Sequence, residues 1–144
     1  MGRNLIHRSR RILNLRDKME TPTIVRYIQQ RGIVEIGEKR DGSIVVLEPV
    51  GYLDNDTSPL FQTRLLEVVG TGDGRVLIDF SGVEYISSAG LRALMAASKK
   101  TKAAGGRIAV AALQPMVKEI FEISRFSLVV PVYETSAEAT AALT

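Results

Sequence analysis

The 144-residue chain has no cysteine and no tryptophan, and its single histidine is His7. Without cysteine there is no disulfide frame and no thiolate metal site. A Ser-His-Asp triad needs a histidine poised beside its serine. One histidine in a leading segment does not supply that, and the same scarcity argues against a zinc site. No apolar run reaches the roughly 18 residues of a membrane span. The N-terminus carries basic residues but no continuous apolar stretch with a small-residue cleavage site, so it does not read as a secretory signal. No glycine-rich Walker loop precedes a helix. The absences point to a cytoplasmic protein that is not an enzyme and needs no cofactor or metal.

What the chain does have is enough apolar sequence, 45%, for one real core. Its length fits one domain. The net charge of +3 is unevenly spread. Residues 1–31 hold eight basic side chains against Asp17 and Glu20, a local +6, which leaves −3 for the rest. The chain therefore divides into a basic N-terminal extension, residues 1–31, and a mildly acidic domain, residues 32–144. Leu5, Ile6, Ile12 and Leu13 fit one face of a short helix in the extension. Nucleic-acid binding would rest on that extension alone, and no direct nucleic-acid contact is expected of the domain.

From Ile33 the pattern becomes regular. Ile33–Ile36 and Ile44–Val50 read as strands joined through Asp41-Gly42, a strong hairpin signal. Asp56-Thr57-Ser58-Pro59 reads as a helix start, with Leu60, Phe61, Leu65, Leu66 and Val69 as its apolar stripe. Arg75–Phe80 is a near-continuous apolar strand, which suggests burial on both faces. Ser81–Ile86 reads as a connection, and a helix follows from about Ser88 to Lys102. Arg107–Ala111 is a strand, Gln114-Pro115 opens a helix, and Leu128–Val132 is a short last strand. Ser136 caps a terminal helix. Strands alternating with helices imply an α/β fold with a mostly parallel sheet of about five strands, an edge hairpin and about four helices. In such a sheet, ligands and partners meet the carboxyl ends of the strands.

Val76 to Met95 carries the most information. A buried strand and a short loop lead into Ser87-Ser88-Ala89-Gly90-Leu91-Arg92 at the start of a helix. A serine there has an ordinary explanation as a cap, worth about 1 kcal/mol. It has a second one as a phosphate acceptor. Helix N-termini present free N–H groups and a partial positive charge, and a phosphate would add about −1.5 to −2 charges where they are tolerated. Gly90 would let another backbone approach closely. A Ser-Lys catalytic pair fails on distance: Lys99 and Lys100 lie about three turns along the helix from Ser88, roughly 16 Å.

The run Val76–Leu94 closely resembles the STAS domain of bacterial anti-sigma factor antagonists. The likeness continues through Ala104-Gly105-Gly106-Arg107-Ile108, Leu113-Gln114-Pro115, Val117–Ile123 and Pro131-Val132-Tyr133. Upstream, Gly51-Tyr52-Leu53-Asp54 looks like the family's Gly-x-Leu-Asp turn. The resemblance spans about Ile33 to Leu143 and implies a STAS-type domain. It also implies a mechanism. The unphosphorylated antagonist binds an anti-sigma factor with serine kinase activity and so frees a sigma factor. Phosphorylation of a serine ends the binding, and a metal-dependent serine phosphatase restores it. The family's acceptor falls on Ser88, with Ser87 as rival. Asp54, Ser87, Ser88, Ala89, Gly90, Leu91 and Arg92 form the implied partner-binding set, although Asp54 also has an ordinary reading as a turn aspartate. Two positions depart from the family: Ser87 replaces a common aspartate, and Arg125 stands where glycine is frequent. The same resemblance admits a STAS subunit of a lipid transporter or a stress-signalling scaffold. The oligomeric state is open.

Overall fold

The structure, a computed structural model, describes residues 23–29, 32–70 and 74–144, with side chains from Glu35 onward. A seven-stranded sheet forms the centre. Its strands are β1 (Thr23–Gln29), β2 (Gly32–Asp41), β3 (Ile44–Leu53), β4 (Arg75–Asp79), β5 (Gly82–Ile86), β6 (Arg107–Ala111) and β7 (Val132–Tyr133). The helices are α1 (Ser58–Val69), α2 (Ser88–Ala103), α3 (Pro115–Ile123) and α4 (Ser136–Leu143). The sheet order is β1-β2-β3-β4-β6-β7, with β5 paired to β3. Among the described strands the β1–β2 and β2–β3 pairs are antiparallel and the other pairs parallel. The α/β reading and the mostly parallel sheet hold.

Three strands differ from the sequence reading. Thr23–Gln29, assigned there to the basic extension, forms the edge strand β1, with Gln29 opposite Gly32. It reads weakly because both alternate positions carry apolar residues and Arg26 interrupts them; pairing with the long β2 defines it. The remaining extension, with the helix expected around Leu5 to Leu13, lies outside the described residues. Gly82–Ile86, read as connection, is a strand. The chain jogs at Phe80-Ser81, where the Ser81 amide donates to Asp79 Oδ1 (2.9 Å) and the Val83 amide to the Phe80 carbonyl (2.9 Å). β4 therefore pairs with the first half of β3, up to Leu47–Ile78, and β5 with the second half, from Val50–Gly82. Pro49, which has no N–H to give, sits in the gap between the two partners. The expected strand at Leu128–Val132 shrinks to Val132–Tyr133. Arg125 takes the left-handed conformation (φ 58°) and leads into a 3₁₀ turn, Phe126–Leu128. That turn buries Phe126 and leaves Leu128 79% exposed, which breaks any strand alternation.

The sheet is covered unequally. On one face α1, α2 and α3 bury Val45, Leu47, Leu53, Ile78, Phe80, Ile86 and Val110 among others. Phe61, Phe80, Phe121 and Phe126 run through this core as edge-to-face pairs with centroids 6.5, 6.1 and 5.3 Å apart, a favoured aromatic geometry. On the other face α4 sets Ala139 and Leu143 on Ile44, Val46, Leu77, Ala109 and Ala111. Its cap is Thr135, which accepts from the Glu138 amide (3.1 Å), rather than Ser136. The Ser136 hydroxyl is occupied by Asp79 (2.8 Å). Among the described residues no helix is long and apolar enough to cross a membrane.

Candidate functional site

β3 and β5 are parallel neighbours, so their carboxyl ends, Leu53 and Ile86, lie side by side. Beyond Leu53 the chain turns at Asp54 toward α1; beyond Ile86 it enters α2. Two hydrogen bonds stitch these exits together. The Leu53 carbonyl accepts from the Ser87 amide (2.9 Å) and from the Ser87 hydroxyl (3.0 Å). The same hydroxyl accepts from the Gly90 amide (3.3 Å). Ser87, extended at φ −96° and ψ 177°, is thus the cap of α2. The serine that caps is not the one the sequence reading put at the helix start.

Ser88 is the first residue inside the helix. It is exposed, and its hydroxyl has no hydrogen-bond partner among the described residues. The Leu91 amide bonds the Ser87 carbonyl (3.0 Å), so Ser87 occupies two of the first-turn donors. The first turn holds no acidic side chain to offset the partial positive charge of the helix start. An anionic group carried by Ser88 would meet that charge with little reorganisation.

The neighbours divide by role. Gly90 is buried, and a Cβ there would lie 2.6 Å from Ile86 Cγ1 and 3.2 Å from the Leu53 carbonyl oxygen. Only a glycine lets the first turn of α2 settle on the strand ends. Leu91 packs against the main core. Asp54 acts as a turn aspartate: its Oδ1 accepts from the amides of Asp56 (2.9 Å) and Thr57 (3.0 Å). Thr57 in turn accepts from the Asp54 amide (3.1 Å) and donates to the Tyr52 carbonyl (2.6 Å). The implied partner-binding set is therefore mixed. Ser88 and Arg92 are exposed and Ala89 partly so, while Gly90 and Leu91 face inward and hold the turn in place.

Residues of α1 join the site that the sequence did not single out. Ser58, Pro59, Gln62, Thr63 and Leu66 line a shallow groove of about 410 Å³ together with Ala89 and Arg92 of α2. Ser58 is 2% exposed, and its hydroxyl has no partner among the described residues. On the other side of the strand ends, Tyr52 and Tyr85 stand as a tilted pair 6.0 Å apart, with Tyr52 54% exposed. The signal for the tyrosines was present as outward positions in neighbouring strands, but β5 had to be seen as a strand first. Among the described residues no group of acidic or histidine side chains gathers that could hold a metal ion.

A family model for the STAS domain matches residues 36–139. An anti-sigma factor antagonist of Bordetella bronchiseptica, BtrV, is 32% identical over 105 residues, which cover 73% of this chain and 90% of that protein. The crystal structure of an anti-sigma factor antagonist from Mycobacterium paratuberculosis superposes with a TM-score of 0.71 at 24% identity, covering 76% of this chain and 93% of that one. The antagonist SpoIIAA in its unphosphorylated form gives 0.62 at 18% identity, covering 73% and 92%. These two structural likenesses bear on the fold.

Proposed function

Since the chain belongs to the STAS domain family, we propose that it is an anti-sigma factor antagonist: a protein-binding switch set by phosphorylation of Ser88. Unphosphorylated, it sequesters an anti-sigma factor that is also a serine kinase, and a sigma factor is released. The kinase transfers the γ-phosphoryl group of ATP to the Ser88 hydroxyl, whose proton is lost, and binding ends. A metal-dependent serine phosphatase hydrolyses the phosphate and restores binding. The chain is ligand and substrate in this cycle, and it works in the cytoplasm.

The observation that carries the reading is the division of labour between two adjacent serines. Ser87 spends its hydroxyl on the α2 cap and on Leu53. Ser88 is exposed at the helix start. A kinase can reach Ser88 without undoing a cap, whereas modifying Ser87 would break the bonds that join α2 to β3. The added charge sits next to the helix start, so the fold stays intact while the surface field changes. Partner binding then fails by electrostatic exclusion. Asp54, Ala89 and Arg92 frame the contact, with the α1–α2 groove beside it.

The test is incubation with the anti-sigma factor from the same cells and ATP, followed by intact mass measurement. The expected result is one added phosphate, lost in Ser88→Ala. Full labelling of Ser88→Ala would overturn the assignment, and a phosphopeptide carrying the group on Ser87 would move it there.

A further inference from the structure

Arg92 is an exposed cation in the N-terminal half of its helix. It lies in the second turn of α2, just past the turn where the dipole disfavours positive charge. The other cations of α2, Lys99, Lys100 and Lys102, cluster at the opposite end, where the dipole favours them. Lys100 also donates to the Leu66 carbonyl of α1 (3.0 Å). Arg92 has no such compensation: it is exposed and forms no ion pair with any described residue. It is nonetheless four residues from Ser88, one turn further along the helix, and lines the α1–α2 groove beside Ala89.

We propose that Arg92 is a built-in counter-ion for a phosphate on Ser88, a positioning residue that holds the phosphate over the α1–α2 groove. The inference rests on Ser88 as the modified serine. An acidic group N-terminal to a basic one at i,i+4 is the favourable orientation on a helix, and a guanidinium can meet two phosphate oxygens at once. The charged groups around the α2 start are few. Asp54 and Asp56 lie in the loop that follows the Leu53 carbonyl bonded to Ser87 and add negative charge on that side of the α2 start. On α1, Arg64 and Glu67 pair with each other (3.0 Å). Glu84 lies on β5, four residues before Ser88, and Arg107 stands at the far end of β6. The unphosphorylated protein therefore carries an arginine with no ion-pair partner among the described residues. The added phosphate then excludes the partner from a fixed position over the groove rather than from a mobile one.

The test uses the full chain with phosphoserine installed at position 88 by codon suppression, so no kinase takes part. The second ionisation of that phosphate, ordinarily near about 6, is followed by phosphorus NMR in the parent, in Arg92→Ala, in Arg92→Lys and in Lys99→Ala. A nearby cation favours the dianion and lowers this pKa. The parent and Lys99→Ala are expected to agree, and Arg92→Ala to titrate higher by about 0.2–0.4. Arg92→Lys falls between them. The gap shrinks in about 0.5 M salt, where screening shortens to a few ångströms. Equal pKa values in the parent and Arg92→Ala would overturn the proposal. Failure of the Ser88 assignment itself shows separately, as kinase labelling that survives Ser88→Ala.

Discussion

Replacing Ser87 with alanine tests the geometry of the α2 start without any partner. The substitution removes two bonds. The Gly90 amide loses its cap acceptor (3.3 Å), and caps of this kind are worth about 1 kcal/mol, within a range of roughly 0.5–2. The Leu53 carbonyl loses the hydroxyl (3.0 Å) but keeps the Ser87 amide (2.9 Å), so it is not orphaned. That second loss is an ordinary net hydrogen bond, about 0.5–1 kcal/mol. The total is about 1.5–2 kcal/mol. For a domain of this size each kcal/mol moves the melting temperature by about 3–4 °C, so Ser87→Ala should melt about 6 °C below the parent. Ser88→Ala removes an exposed hydroxyl with no partner among the described residues and should stay within about 0.5 kcal/mol of it. The chain lacks tryptophan, so unfolding is best followed by far-ultraviolet circular dichroism, by heat and in urea. If Ser87→Ala is as stable as the parent, or if Ser88→Ala loses as much, the capping assignment is wrong. The physical distinction between the two serines then goes with it.

Gly90→Ala gains about 1 kcal/mol of helix propensity but places a methyl 2.6 Å from Ile86 Cγ1. Ile86 is buried and β-branched, and overpacking of this kind costs about 1–3 kcal/mol; a net loss of stability is expected in urea unfolding, and a gain would show that the first turn is not pinned. Arg125 holds φ 58°, a conformation that costs a non-glycine residue about 1–2 kcal/mol, part of which glycine gives back through a freer unfolded chain. Arg125→Gly should therefore match or slightly exceed the parent in thermal stability, and Arg125→Val should fall below both; a less stable glycine variant would contradict the strain argument. Asp54→Asn keeps an acceptor for the Asp56 and Thr57 amides and should fold with nearly parental stability. Asp54→Ala should lose about 1–2 kcal/mol. Weaker anti-sigma factor binding by the asparagine variant in calorimetry assigns the charge itself to the contact, and unchanged binding confines Asp54 to the turn.

The residues themselves announce much of this architecture. The Asp41-Gly42 hairpin, the Ser58-Pro59 helix start and the apolar run Val76–Phe80 each have local chemistry strong enough to be read directly, and the parallel sheet follows from their alternation. β1, β5 and the end of the chain were harder, because their character is set by pairing. β5 exists because β3 outlasts β4 and offers its second half to another strand. Val132–Tyr133 is short because Arg125 turns the chain before it. At the site, sequence placed the start of α2 at Ser88, where the structure has it, but did not tell which serine caps, since Ser87 and Ser88 carry the same hydroxyl and only the backbone at the first turn separates them. The groove was invisible for a related reason. Gln62, Thr63 and Leu66 meet Arg92 only once α1 and α2 pack side by side.

The α2 start carries the account, and binding to the partner examines it most directly. The measurement is the affinity of the anti-sigma factor for the chain with phosphoserine at position 88, set against the unmodified chain, by titration calorimetry at one fixed salt concentration. A switch of ordinary strength, about 1–3 kcal/mol, weakens binding by about 5- to 150-fold. Equal affinity of the two forms would contradict a phosphorylation switch at Ser88.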